Sequence, residues 1–159
     1  MTVTLDTIDV RILEALQADA GRSVADIAEI VGLTPSPCWR RIRRLETEGI
    51  IKRRSIQLDR RMIGLMFTAY LEIKIQPARK ANYEKFEKAI QTFQEITEAC
   101  TMTGPYDYLL KIVTPDIDAY NEFMQERMIP LDVVGDFRTS VQIRNVKEGR
   151  GLPLGHIDG

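Results

Sequence analysis

The chain has a single histidine, His156, and two cysteines, Cys38 and Cys100, among its 159 residues. A structural zinc site takes about four nitrogen or sulfur ligands, and no CxxC pair or Cys/His cluster is present. His156 lies in a Gly/Pro-rich tail, so no nucleophile–histidine–acid set can be assembled around it. Phosphate loops and dinucleotide fingerprints are missing as well. The paired carboxylates Glu84/Glu87 and Asp116/Asp118 fall at helical spacing or at helix starts, where capping and solvation explain them. These absences argue against an enzyme and predict no metal and no cofactor. No apolar run is long enough to span a bilayer, and the opening MTVTLDTIDVRI has no signal-peptide pattern. The expectation is a cytoplasmic protein with two reduced thiols.

Excess charge of one sign is also lacking: the net charge is −1. Its distribution is uneven. Between residues 40 and 61 lie Arg40, Arg41, Arg43, Arg44, Lys52, Arg53, Arg54, Arg60 and Arg61, opposed only by Glu46, Glu48 and Asp59. A basic segment of this kind is either a solvated helix face with a basic loop after it or a surface that meets phosphates.

The first 50 residues read as three short helices. Leu5, Ile8, Ile12, Leu13 and Leu16 recur at helical spacing behind an N-capping Asp6. Ser23 caps a second helix, Val24 to Val31, with Asp26 in a capping-box position. Gly32-Leu33 makes a tight turn, and Thr34-Pro35 opens a third helix as N-cap and first helical residue. Cys38, Ile42 and Leu45 face inward, and Gly49 ends the helix. Two helices joined by a short glycine turn form a helix-turn-helix. Ser36, Arg40, Arg41 and Arg44 are then the candidates for contact with the major groove. Lys52, Arg53 and Arg54 fall in an extended segment that fits a wing strand beside the phosphate backbone. Trp39 either touches DNA or covers the domain's own surface, packing being the commoner outcome for an aromatic at a helix shoulder. Cys38 reads as a small buried hydrophobe and Cys100 as a core strand residue.

Residues 1–58 form this unit, 59–64 a linker, 65–148 a second domain and 149–159 a tail. In the second domain Phe67, Ala69, Leu71, Ile73 and Ile75 alternate as a strand with one buried face. An amphipathic helix, residues 78–93, directs Tyr83, Phe86, Ala89/Ile90 and Phe93 inward. Strands over 96–103 and 107–113 flank the turn Gly104-Pro105-Tyr106. A further helix directs Ile117, Tyr120, Phe123/Met124 and Met128 inward, and Phe137, Thr139, Val141 and Ile143 alternate in a last strand. The order βαββαβ predicts an α+β fold: a winged helix-turn-helix followed by a ferredoxin-like sheet with both helices on one face. The strand 107–113 is apolar on both faces, with Leu109 and Val113 on one and Leu110 and Ile112 on the other. Helices cover only one side of such a sheet, so the other calls for a second copy of the chain.

These segments resemble the Lrp/AsnC (feast/famine) regulators. The resemblance rests on LDTIDVRILEALQADAGRS and IAEIVGLTPSPCWRRIRRLETEGII in the first unit. TGPYDYLLKI and the Thr139-Ser140 pair carry it in the second. It covers residues 5 to 147. It implies a transcription regulator that binds double-stranded DNA, dimerises through its sheets, often assembles into octamers and responds to an amino acid. A near-palindromic operator follows from a two-fold dimer. The effector is placed at Thr103, Gly104, Pro105, Tyr106 and Asp107, with Thr139 and Ser140 nearby. The amides of Gly104, Tyr106 and Asp107 offer donors to a carboxylate, and Asp107 or the two hydroxyls accept from an ammonium. Pro37-Cys38-Trp39 is closer to a subgroup that responds to sulfur-containing amino acids. Two alternatives stand beside this: an enzyme on a ferredoxin-like domain, and a chromosome-organising DNA binder with no effector.

Overall fold

The structure, a computed structural model, describes residues 4–147, 149 and 151–157. It divides into two compact units: residues 1–57 with 147–159, and residues 58–146.

Three helices make the first unit: α1 (Thr7–Ala18), α2 (Val24–Val31) and α3 (Pro35–Thr47). Both expected caps are present as reciprocal capping boxes. Asp6 accepts from the Asp9 amide while Asp9 accepts from the Asp6 amide, and Ser23 and Asp26 do the same. Each cap contributes about 1 kcal/mol. Gly32, at φ +73°, turns the chain between α2 and α3, where a side chain would be strained. Ile12, Ile27, Ala28, Cys38, Ile42 and Leu45 are almost fully buried around one core. The tail joins this unit. Leu154 packs against the core, and Gln17 brackets Leu152, donating to its carbonyl and accepting from its amide.

The expected wing strand is absent among the described residues. Residues 52–58 are irregular and exposed and belong to no sheet. Among the described residues the first unit contains no other strand to pair with them, and an isolated strand leaves its backbone groups to water.

The second unit is a four-stranded antiparallel sheet: β1 (Phe67–Ile75), β2 (Ile96–Thr101), β3 (Tyr108–Thr114) and β4 (Val134–Val141). The strand order is β2-β3-β1-β4. Helix α4 (Lys80–Ile90) follows β1 and α5 (Ile117–Phe123) follows β3, the latter continuing through a π-helical segment, Met124–Met128. The order βαββαβ is the expected one. Alternation in β1 and β3 buries Ala69, Leu71, Ile73, Ile75, Tyr108, Leu110 and Ile112 beneath Phe86, Ile90, Tyr120, Phe123 and Met128. Each fully buried Leu, Ile or Phe contributes about 1.5–3 kcal/mol.

Several residues depart from their expected burial. Ile117 is exposed because the helix begins only after Asp116, which caps it through the Ala119 amide, so Ile117 is its first residue. Phe137 and Val141 alternate as predicted, but β4 is the sheet edge and both remain open to solvent; Ile143, expected in the same strand, lies beyond its end at Val141 and is exposed. Cys100 is exposed, since its register with Leu109 turns it to the face without helices.

Candidate functional site

Helix α3 separates its side chains by angle. Cys38, Ile42 and Leu45 bind it to the core. Ser36, Trp39, Arg40, Arg43, Arg44 and Thr47 are exposed. Arg41 is different. Its Nη1 lies 2.6 Å from the Asp6 carboxylate and 2.8 Å from that of Asp9. Asp9 is only 1% exposed and also receives Nη2 of Arg44. The hydrogen bonds Arg41 donates to Asp6 and Asp9 raise its pKa further above the usual value, so the guanidinium is a permanent cation. The Asp9 amide, followed by Arg41, holds the Asp6 carboxyl below its ordinary range. Arg41, expected at the groove, is therefore engaged within the first unit. Arg44 shares Asp9 yet keeps 43% of its side chain exposed, and Arg40 is exposed.

Trp39 covers its own domain only in part: it is 52% exposed. Arg43 lies over its ring at 5.9 Å. Sequence reasoning passed over Arg43 as a site residue, although it sits two turns after Ser36 and one turn after Trp39. Lys52 and Arg53 are exposed, while Arg54 reaches back to Glu46 at 3.2 Å. Cys38 is fully buried, and burial pushes its thiol pKa up, so it is unreactive packing.

In the second unit the turn Thr103–Asp107 is closed by the Met102 amide donating to the Asp107 carbonyl at 2.8 Å. Gly104 has φ +119°, open only to glycine at low cost, and no atom lies within 4 Å of where a Cβ would stand. Of the three amides expected to face a ligand, that of Asp107 is already bound to the Ile73 carbonyl at 2.8 Å. The Asp107 carboxylate accepts from the Ile75 amide at 2.8 Å and from Lys74 Nζ at 3.1 Å. Partial burial works to raise its pKa, but the Ile75 amide, the Lys74 ammonium and Tyr83 outweigh burial and hold it below the ordinary carboxylate value. Asp107 thus fastens the turn to β1.

The structure does not bring Thr139 and Ser140 together. Thr139 is level with Leu71 on the helix side and bonds the Tyr120 hydroxyl at 2.6 Å, whereas Ser140 is level with Tyr70 on the open side. The β4 residues at the turn are Asp136, 3.3 Å from the Tyr106 hydroxyl, and Arg138, 5.6 Å from the Tyr106 ring and paired with Glu72. The signal for them was available: if Phe137 and Thr139 face the helices, Asp136 and Arg138 face the other way. Beyond them the open face carries Tyr70, Leu109, Lys111, Glu98 and Cys100 around a shallow 360 Å³ depression.

Residues 68–152 match the Lrp/AsnC ligand binding domain, and residues 5–52 match a winged helix-turn-helix DNA-binding domain. The leucine-responsive regulatory protein of Escherichia coli (strain K12) is 36% identical over 150 residues, 94% of this chain and 92% of that one. The chain belongs to the Lrp/AsnC family. It is a DNA-binding transcriptional regulator with a ligand-binding domain, and not an enzyme. A transcriptional regulator from Neisseria meningitidis, solved in complex with L-methionine, superposes with a TM-score of 0.93 at 30% identity, covering 97% of this chain and 99% of that one. An AsnC family regulator from Agrobacterium tumefaciens gives 0.91 at 33% identity over 96% and 99%. Among the described residues, no helix of this Lrp/AsnC chain is long and apolar enough to cross a membrane, and no group of His, Cys, Asp and Glu is placed to hold a metal.

Proposed function

We propose that this Lrp/AsnC regulator works as a cytoplasmic homodimer whose affinity for a near-palindromic operator is set by a bound amino acid. Ser36, Arg40 and Arg44 on α3 read base edges, and Lys52, Arg53 and Arg54 neutralise phosphates. Arg41 contributes by fixing the pose of α3 through Asp6 and Asp9. Dimerisation uses the open sheet face, where Leu109 and Val113 are half-buried opposite the helix layer. Two such faces related by a two-fold axis cover each other. Assembly of dimers into an octamer extends the same scheme.

The effector is a free α-amino acid held at Thr103, Gly104, Pro105, Tyr106 and Asp107. The amides of Gly104 and Tyr106 meet its carboxylate, and Asp136 accepts from its ammonium. Thr139 and Ser140 flank this site on opposite faces of β4. The observation that carries this reading is the likeness, over nearly the whole chain, to the Neisseria regulator solved with L-methionine. Methionine is accordingly the first effector to try.

The experiment is a thermal-shift screen of the twenty amino acids on the full chain. A ligand that binds only the folded state at 100 times its Kd stabilises by about 2.7 kcal/mol. L-Methionine is expected to raise Tm in a concentration-dependent way. If no amino acid raises it while DNA binding persists, the protein is an effector-independent DNA binder and the reading fails.

A further inference from the structure

Helix α3 carries the chain's single tryptophan on the flank beside its core stripe of Cys38, Ile42 and Leu45, where it is half exposed. A large aromatic that is 52% exposed has given up much of the burial its area offers. Ser36, Trp39, Arg40 and Arg43 follow the three- and four-residue spacing of one helix face, so the indole stands among the residues that face outward. Arg43 lies over its ring and is itself tied to Glu46 at 3.2 Å, which steadies both side chains. Arg43 over the ring and Arg40, the next residue along the helix, put positive charge beside this apolar spot, the complement of a phosphate-lined groove. Thymine is the base that presents an apolar group, its 5-methyl, in the major groove.

We infer that Trp39 is a base-reading residue: its exposed indole, braced by Arg43, packs on a thymine methyl in the major groove. This rests on the placement of α3 in that groove proposed above. The division of labour along α3 is then complete. Arg41 locks the helix to α1, Arg40 and Arg44 offer hydrogen bonds to base edges or phosphates, and Trp39 supplies the apolar contact.

The test uses the full chain and the duplex it selects from a randomised pool. Replacing each selected thymine by uracil removes only the methyl. The wild-type chain is expected to bind about fourfold more weakly for each contacted methyl lost, and Trp39→Ala to bind thymine and uracil duplexes equally. Trp39→Phe, which keeps an apolar ring, retains part of the discrimination. Emission from Trp39, unmixed with any other tryptophan, changes on adding the duplex. A selected duplex without a fixed thymine, equal binding of both duplexes by the wild-type chain, or unaltered emission overturns the inference. Arg40→Ala separates the two levels. If it shifts the selected sequence while the Trp39 variants do not, only the role of Trp39 fails. If none of them shifts it, the placement of α3 fails.

Discussion

The Arg41 guanidinium donates to the Asp9 carboxylate at 2.8 Å, joining the third helix to a nearly fully buried acid on the first. Asp9 is also the capping-box partner of Asp6, so one carboxylate fixes both the start of α1 and the pose of α3. This pairing changes what is expected of the arginines on α3.

Arg41→Ala is predicted to cost stability and leave the selected DNA sequence unchanged. Asp9 would stay buried with Arg44 as its sole cation partner, and losing a hydrogen bond to a charged group costs about 1.5–3 kcal/mol. Arg40→Ala, on an exposed side chain, should leave stability within about 0.5 kcal/mol and alter sequence preference. Urea melts beside sequence selection for the two variants check this contrast; altered preference in Arg41→Ala would place its guanidinium on DNA instead.

Lys52→Ala and Arg53→Ala are expected to weaken binding alike on every sequence. Each lost phosphate contact should flatten the slope of log K against log salt by about 0.9. A salt titration by fluorescence anisotropy measures it, and a slope equal to wild type in both variants would remove residues 52–53 from the interface.

Asp107→Asn is predicted to remove an acid-sensitive part of the stability of the second unit. Because the folded carboxyl titrates below its unfolded value of about 3.9, its contribution is complete above that value and is lost as pH falls through the folded pKa. Wild type and variant should therefore differ most near neutrality and converge in acid. The variant should also lose any methionine-induced rise in Tm, because the turn is no longer fastened to Lys74 and Ile75. Melts across an acid pH series, with and without L-methionine, test both statements.

Leu109→Glu is expected to leave the core intact, since Tyr108, Leu110 and Ile112 are the β3 residues packed beneath the helices, and to yield a monomer in light scattering at micromolar concentration. A dimer that survives this change must use another surface.

Leu154→Ala or truncation after residue 147 should lower the stability of the first unit by about 1–2 kcal/mol, the loss of a partly buried leucine. Gln17→Ala should give a smaller effect in the same direction. Chemical denaturation followed through Trp39 emission reports on this unit.

Periodicity and capping chemistry made the helix-turn-helix and the βαββαβ order legible in the sequence. Asp6, Ser23 and Gly32 act within a few residues of themselves, and alternation from Phe67 to Ile75 fixes which side chains face the helices whatever the partner strand is. The turn at Gly104 was legible for the same reason. Tertiary structure decided what depends on residues distant in sequence: Arg41 turned toward Asp6 and Asp9 instead of outward, because a buried carboxylate on α1 requires a cation that only α3 supplies. It left residues 52–58 without a strand partner, docked Leu154 on the first core, and split Thr139 from Ser140. It also put Asp136 and Arg138 beside Tyr106, because the pairing of β4 with β1, more than sixty residues apart, fixes which β4 side chains reach the turn.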